Sequence, residues 1–243
     1  MLVPISLGQV GNGLTGWQIW RRLKMKLADA GFANVTLAPD RVLELLVDQM
    51  FEINNRTTIS VDYLSFPTAA NQRRYWLRNG AATGDYITAL KILRASYDGR
   101  PVWPERAWQF DGDVESGTTT ETGEPRNIWL EDSQAAATFG LPAAIGVWPL
   151  PDAVYKLRLV YRRPVPTYTN MNATLPIRIG AHQAVFTNVM AELFGAKDFH
   201  DNAMKAVWEQ KRVLAERELY DWEKRMVLEH QPDLSARRLA QVE

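Results

Sequence analysis

Three glycines near the start of the chain have the spacing of a dinucleotide-binding loop. Gly11, Gly13 and Gly16 form a GxGxxG pattern, in which glycines let the backbone approach a pyrophosphate at the start of a helix. A Rossmann unit also needs a buried apolar strand before this loop, but residues 5–10 include a glycine and a glutamine. Asp40, where a ribose-binding acid would lie, is also well placed to begin the next helix. The pattern therefore permits two interpretations, a nucleotide site or an N-terminal arm that leads into a helix.

The other candidates for catalysis or metal binding lack the spacing that such chemistry needs. The three histidines, His182, His200 and His230, form no HxxxH or HExxH pair that would place two ligands on one face of a helix. The absence of cysteine excludes disulfides, thiolate metal sites and cysteine nucleophiles. There is also no GxSxG motif. We therefore expect no catalytic residues, no metal and no cofactor.

Positive charge is balanced over the whole chain, so a basic surface can only be local. There are 28 Lys and Arg against 28 Asp and Glu, which leaves no global attraction to nucleic acid or to an anionic membrane. One predicted strand alternates arginines with tyrosines, as a nucleic-acid-binding surface does. The same pattern also keeps the edge of a sheet soluble. The candidates for a DNA-facing surface are Arg158, Arg162 and Arg163.

A long, highly charged helix is predicted for residues 198–229. Its charges are mixed in sign, which is typical of a solvated face or of ion pairs with a neighbouring subunit. A helix of roughly 30 residues spans about 45 Å, too long to pack fully on a small sheet, so we expect part of it to meet another chain. The candidate interface residues are Trp208, Lys211, Arg212, Tyr220, Trp222 and Arg225.

The periodicity along the chain predicts a single α+β domain with a mostly antiparallel sheet. An arm of residues 1–16 precedes a helix pair in residues 17–56, the sheet follows in 57–163, and helices return in 176–230 before a tail of 231–243. Three hairpins are predicted: 57–61 with 74–77, 87–97 with 101–103, and 145–148 with 154–161. The second has the strongest signal, because Asp98-Gly99 is a favoured two-residue turn. No apolar run approaches the length that spans a bilayer, and we expect no membrane association.

Several short motifs, in this order, resemble those of the head-to-tail adaptor proteins of tailed bacteriophages. The helix pair of residues 17–56 is similar to the opening of that family, and residues 93–102, LRASYDGRPV, are similar to its strand and hairpin. Residues 123–126, GEPR, precede an aromatic strand, and residues 147–152, VWPLPD, precede a strand of alternating tyrosine and arginine. The resemblance covers residues 17–229; residues 1–16 have no counterpart.

This resemblance implies a structural protein of the virion neck, not an enzyme. About twelve copies would form a ring that matches the portal, with the last helix on the portal and the opposite face on tail or nozzle proteins. DNA would pass through the channel, and the subunit would be in the host cytoplasm during assembly. The alternatives are another tail component such as a tail terminator, a nucleotide-binding enzyme that uses Gly11, Gly13 and Gly16, and a DNA-binding regulator.

Overall fold

Helices and one mixed sheet make the chain an α+β protein, as the sequence predicts. The computed structural model describes residues 13–78, 86–105, 121–131 and 144–228. These fall into two compact units: a helical unit of the residues up to Ser60 with Val165–Asp221, and a sheet unit of Val61–Pro164 with the residues from Trp222. That the chain is one domain stays a prediction. The predicted arm and tail lie almost wholly outside the described residues.

Four α-helices lie in the described part of the chain. They are α1 (Gly16–Asp29), α2 (Pro39–Arg56), α3 (His182–Gly195) and α4 (Asn202–Leu228). Both predicted helices of the opening pair are confirmed. The predicted helix from residue 176 begins later, at His182, because the chain first makes a 3₁₀ turn at Ile179–Ala181.

The ends of the first two helices follow from local side chains. Thr15 caps α1: its hydroxyl accepts from the Gln18 N–H at 3.2 Å, and the Gln18 side chain accepts from the Thr15 N–H at 2.9 Å. Gly31, with φ of 92°, follows the last turn, a conformation that suits a residue without a Cβ. Pro39 occupies the first turn of α2. Backbone N–H groups in the first turn have no acceptor within the helix, so a proline there costs no helical hydrogen bond.

The helical unit is built around α3. This helix is buried on nearly all sides and shows no amphipathic period. Its buried Thr187 and Asn188 both donate to the Ala184 carbonyl within the helix. Leu23 of α1, Leu46 of α2 and Leu219 of α4 belong to the same apolar core as Val189 of α3. The core of this unit therefore depends on helices from both ends of the chain.

The sheet unit contains nine strands in its described residues. The main sheet has the order β1-β9-β3-β4-β6-β7-β2, and β5 and β8 form a separate parallel pair. In the main sheet every pairing is antiparallel except β4 with β6. The strands are β1 (Val61–Pro67), β2 (Arg74–Trp76), β3 (Lys91–Tyr97), β4 (Arg100–Glu105), β5 (Thr122–Gly123), β6 (Asn127–Glu131), β7 (Ala144–Trp148), β8 (Leu150–Pro151) and β9 (Lys156–Arg162).

The hairpin predicted at Asp98-Gly99 is confirmed. Strands β3 and β4 pair with Tyr97 opposite Arg100, and Asp98 and Gly99 both have positive φ, 45° and 79°. Such a turn matches the twist of the two strands, and Asp and Gly are among the residues that adopt it most readily.

The other two predicted hairpins are wrong. Strand β1 pairs with β9 and strand β2 pairs with β7, so the segments predicted to pair lie at opposite ends of the sheet. Likewise β7 pairs with β6 and β2, whereas β9 pairs with β1 and β3. Short apolar segments near one another in sequence predicted local pairing, but each found a more distant partner. Alternation identifies a strand without identifying its neighbour.

Candidate interaction surfaces

Two short motifs singled out in the sequence, residues 123–126 and 147–152, meet in the sheet unit. The pairing of β5 with β8 places Gly123 opposite Pro151. The Arg126 N–H donates to the Trp148 carbonyl at 2.9 Å, and the Leu150 N–H donates to the Glu121 carbonyl at 3.0 Å. Segments 123–126 and 147–152 are thus held side by side.

Side chains from the Asp98-Gly99 hairpin complete this junction. Glu124 accepts from the hydroxyl of Tyr97, and Arg100 Nη1 donates to the same carboxylate at 2.6 Å. The ring of Tyr97 meets that of Tyr155 edge to face, with centroids 5.2 Å apart, and the Tyr155 hydroxyl donates to Asp152. We call Tyr97, Arg100, Glu124, Asp152 and Tyr155 the motif junction.

The pKa shifts in the motif junction favour a structural role, in which hydrogen bonds between side chains hold the segments together. Donation to Asp152 raises the pKa of Tyr155 to about 12. Burial, followed by donation to Glu124, raises the pKa of Tyr97, and the Tyr97 hydroxyl is the main cause that lowers the pKa of Glu124. At neutral pH both tyrosines therefore stay protonated and Glu124 stays charged. A catalytic base would need a pKa nearer neutrality.

One face of helix α4 is buried. Trp208 is buried and packs edge to face against Phe186 of α3 at 5.8 Å, and Lys211 Nζ lies 4.2 Å from the Trp208 ring centroid. Arg56 of α2 donates to Glu216 at 3.2 Å. Trp208, predicted as an interface residue, thus belongs to the core of the helical unit.

The opposite face of α4 carries large apolar side chains in solvent. Val207, Val213, Leu214 and Tyr220 are between 42% and 61% exposed. Val207 and Leu214 are seven residues apart, as are Val213 and Tyr220, so the members of each pair are aligned along the helix. The two pairs are about a third of a turn apart, and both lie away from the buried Trp208 and Leu219. We call these four residues the outer face of α4. Of the predicted interface residues, only Tyr220 belongs to it.

The remaining predicted helix residues are not among these four apolar side chains. Arg212 is partly buried beside the inner side, and Trp222 and Arg225 lie beyond Asp221, in the residues grouped with the sheet unit. There Glu223 is buried and accepts from Lys91 of β3 at 2.7 Å. The end of α4 is thus attached to the sheet by an ion pair.

The predicted DNA-facing arginines have three different environments. Arg158 is exposed on β9. Arg162 is partly buried; its burial lowers its pKa, and the charge of Glu223 acts in the opposite direction. Arg163 donates to Asp62 of β1 at 2.9 Å. Alternation along β9 places Arg158 and Arg162 on the face opposite the buried Leu159, but only Arg158 projects into solvent without an acidic group among its described contacts.

The glycine pattern at the N-terminus serves close packing. A Cβ on Gly13 would lie 2.3 Å from Thr174 Cγ2, and one on Gly16 would lie 2.7 Å from the Tyr168 hydroxyl. The Gly16 N–H donates to that hydroxyl at 2.9 Å, and the Trp17 N–H donates to the Met171 carbonyl at 3.0 Å. The N–H groups of Gly16 and Trp17, which a pyrophosphate at this helix start would need, are therefore used within the protein, and this geometry favours the interpretation as an arm that leads into a helix. Gly11 lies outside the described residues.

The histidine that faces this segment acts as a hydrogen-bond acceptor. His182 is buried, and its Nδ1 accepts from the Leu14 N–H at 3.0 Å. Burial lowers the pKa of His182, partly offset by the Ile177 carbonyl. His200 is exposed at the surface and His230 lies outside the described residues. Among the residues with described positions, no three acidic or histidine side chains are grouped as a metal site would require.

An aromatic and basic group on strand β2 was not predicted. Arg74, Trp76 and Arg78 alternate with the buried Tyr75 and Leu77, so all three project from the same face. The alternation RxWxR was visible in the sequence, but the segment was interpreted only as one arm of a hairpin.

Comparison with known proteins adds no family assignment. No protein-family model matches the chain, and no curated protein is significantly similar to it. Nor does any helix in the described ranges combine the length and apolarity needed to cross a membrane.

Proposed function

We propose that this chain is a structural protein of a tailed-phage virion, a head-to-tail adaptor that forms a ring between the portal and the tail. The proposal rests on the order of motifs in the sequence and is supported by the way they meet at the motif junction. A cluster held by Tyr97, Glu124 and Asp152 explains why an Asp-Gly hairpin, a GEPR segment and a WPLPD turn occur together in one chain. In this proposal their role is to shape one end of a subunit.

The structural observation that most supports the proposal is the outer face of α4. Single exposed apolar residues are normal on protein surfaces, but four large ones on one side of a helix form the kind of patch that proteins use to bind one another. The other side of this helix is already packed through Trp208 and Leu219. The outer face is therefore available to another protein, which we take to be the portal.

The ring also needs contacts between subunits and a channel that does not hold DNA. Equal numbers of acidic and basic residues suit this role, because many phosphate contacts would retard the passage of DNA. We propose the exposed Arg158 as a channel residue. Arg163 and Arg162 instead act within the subunit, through Asp62 and near Glu223.

Native mass spectrometry of the full chain tests this proposal. The chain is measured alone and after co-expression with a portal protein, together with the variants Leu214→Asp and Met25→Asp. Met25 is an equally exposed apolar residue on α1, which makes it a matched control. We expect a ring-sized or portal-bound species for the wild type and for Met25→Asp, and its loss for Leu214→Asp.

Two results would overturn the proposal. A wild-type chain that stays monomeric or dimeric with portal present is not an adaptor. A chain that ignores portal but is captured by tail proteins in a parallel pull-down is another tail component, such as a terminator. If Leu214→Asp and Met25→Asp both assemble normally, the outer face of α4 is not the binding surface.

A further inference from the structure

One backbone donor at the start of the helical unit is bonded to the side chain of a buried histidine. The Leu14 N–H donates to Nδ1 of His182 at 3.0 Å, and His182 is only 4% exposed. On its other side Leu14 is held by backbone, because its carbonyl accepts from the Leu175 N–H at 3.1 Å. We call residues 13–15 the Leu14 segment.

The Leu14 segment lies directly against the imidazole ring. A Cβ on Gly13 would be 3.1 Å from Cε1 of His182 and 2.3 Å from Cγ2 of Thr174. Thr15 forms an isolated antiparallel bridge with Thr174. The segment is therefore packed between the ring and the connection that leads into α3, and the ring accepts the hydrogen bond from a fixed position.

Only the neutral form of His182 can accept this hydrogen bond. A neutral imidazole that accepts at Nδ1 carries its proton at Nε2, whereas in the imidazolium both nitrogens are donors. The Nδ1–H of a charged ring would face the Leu14 N–H, donor against donor. His182 is also the first residue of α3, where the helix dipole disfavours a positive charge. Protonation of the ring is therefore incompatible with the observed contact.

Among the described segments that surround the ring, no acidic group lies where it would stabilise a positive charge. Apart from His182, the titratable side chains of the Leu14 segment, of residues 165–181 and of α3 are Tyr168, Arg178 and Glu192. Glu192 is ten residues along α3, about 15 Å away along the helix axis. Helices α1 and α2 keep their charged side chains wholly or partly exposed. Burial lowers the pKa of His182, the Ile177 carbonyl opposes this, and neither cause is a charged side chain.

We propose that His182 is a pH-sensitive attachment point for the start of the helical unit, and that its protonation releases the Leu14 segment from Thr174 and Leu175. This property goes beyond the adaptor role and depends on neither a ring nor a portal. In the released form the histidine is free to bind a proton that the attached form excludes, so the segment opens more often as the pH falls. The opening ends at α1, because Gly16 and Trp17 keep their own bonds to Tyr168 and Met171.

Hydrogen exchange of the full chain, measured by mass spectrometry at pH 7.5 and pH 5, tests the proposal. The rates are corrected for the intrinsic pH dependence of amide exchange. The released histidine has an ordinary pKa near 6.5, so opening should increase about 30-fold over this range while the attached form stays neutral. We expect the protection of the peptide that contains the Leu14 amide to fall by about that factor, and the protection of peptides from α2 to stay the same.

Three variants assign this effect to one side chain. His182→Gln supplies a carbonyl acceptor that does not titrate, so the protection should no longer depend on pH. His182→Leu removes the acceptor, and protection should be low at both pH values. His200→Gln is the matched control, because it removes an exposed histidine from the same helical unit, and it should keep the pH dependence of the wild type.

The proposal fails if the wild-type peptide is equally protected at both pH values, or if His182→Gln keeps the wild-type pH dependence. Loss of the dependence in His200→Gln would assign the effect to the wrong histidine. An equal fall in the peptides of α2 and α3 would mean that the whole unit unfolds, which also contradicts a local release. The wild-type comparison needs no variant, so the test remains decisive where a His182 variant does not fold.

Discussion

Replacing Gly146 by alanine tests how the sheet accommodates a tryptophan. Trp129 of β6 lies directly opposite Gly146 of β7, and its ring lies across the position that a side chain would occupy. A Cβ on Gly146 would be 2.1 Å from both Cε2 and Cζ2 of that ring. Ordinary contact begins near 3.4 Å, so the buried ring must move by about 1.3 Å.

The cost of that movement can be worked out from known packing effects. Overfilling a packed site costs about 1–3 kcal/mol, and alanine recovers about 0.5–1 kcal/mol because glycine is unfavourable within a strand. Because the obstacle is a rigid, buried ring, we expect Gly146→Ala to lower the free energy of unfolding by about 2 kcal/mol. At roughly 2–4 °C for each kcal/mol in a chain of this size, the melting temperature falls by about 4–8 °C.

Urea unfolding and differential scanning calorimetry measure this effect, with Gly123→Ala as a matched control. Gly123 lies in the same sheet unit, and a Cβ there would meet no atom within 4 Å, so its stability should change little. The sharpest test is a double-mutant cycle. In a Trp129→Leu background Gly146→Ala should cost much less, because the ring is gone. An unchanged melting temperature for Gly146→Ala, or the same loss in both backgrounds, would refute the reasoning.

Three further predictions concern single side chains. Burial lowers the pKa of His182, so the unfolded chain takes up the proton at a higher pH than the folded chain does, and the free energy of unfolding falls as the pH drops below about 6.5. The urea midpoint of His182→Asn, measured between pH 5 and 7.5, should therefore depend less on pH than that of the wild type. An equal pH dependence for the two proteins would contradict this prediction. Burial raises the pKa of Tyr161 to about 12, so the folded state favours the protonated side chain. The resulting contribution to the free energy of unfolding, about 2–3 kcal/mol, is complete below pH 10 and is lost between about pH 10 and 12. Tyr161→Phe should lose less stability than the wild type in that range, and equal losses would count against the buried tyrosine. Thr15→Ala removes the hydrogen bond by which Thr15 caps α1 and should lower the free energy of unfolding, measured by thermal unfolding, by about 1 kcal/mol. Thr15→Ser keeps the hydroxyl and should retain the stability of the wild type. Equal destabilisation by both variants would exclude the cap as the cause.

Local patterns in the sequence were sufficient for the helices and for one turn. Helices α1 and α2 were predicted at residues 17–30 and 39–56, within a residue or two of their observed bounds, because their apolar period and their ends depend on residues within a few turns. The Asp98-Gly99 hairpin was predicted for a similar reason, since a two-residue turn brings its own strands together. The α+β class followed from the order of these elements.

The candidate surfaces could be predicted only in part. Arg158 and Tyr220 were singled out and are exposed, but Trp208 proved to be buried and Arg163 is paired with Asp62. An amphipathic period shows that a helix has two faces without showing how wide the buried one is. Val207, Val213 and Leu214 were therefore missed as members of the outer face of α4.

By itself, the sequence determined the local elements of this protein, because helix periods, caps and tight turns depend on interactions between near neighbours. The tertiary structure alone decided which strands pair, since β1 joins β9 about a hundred residues away and β2 joins β7. It also decided that Trp129 lies over Gly146 and that Tyr86 joins Trp76 at the surface. Those contacts depend on the register of distant strands, which is set by how the whole apolar core packs and not by any one segment.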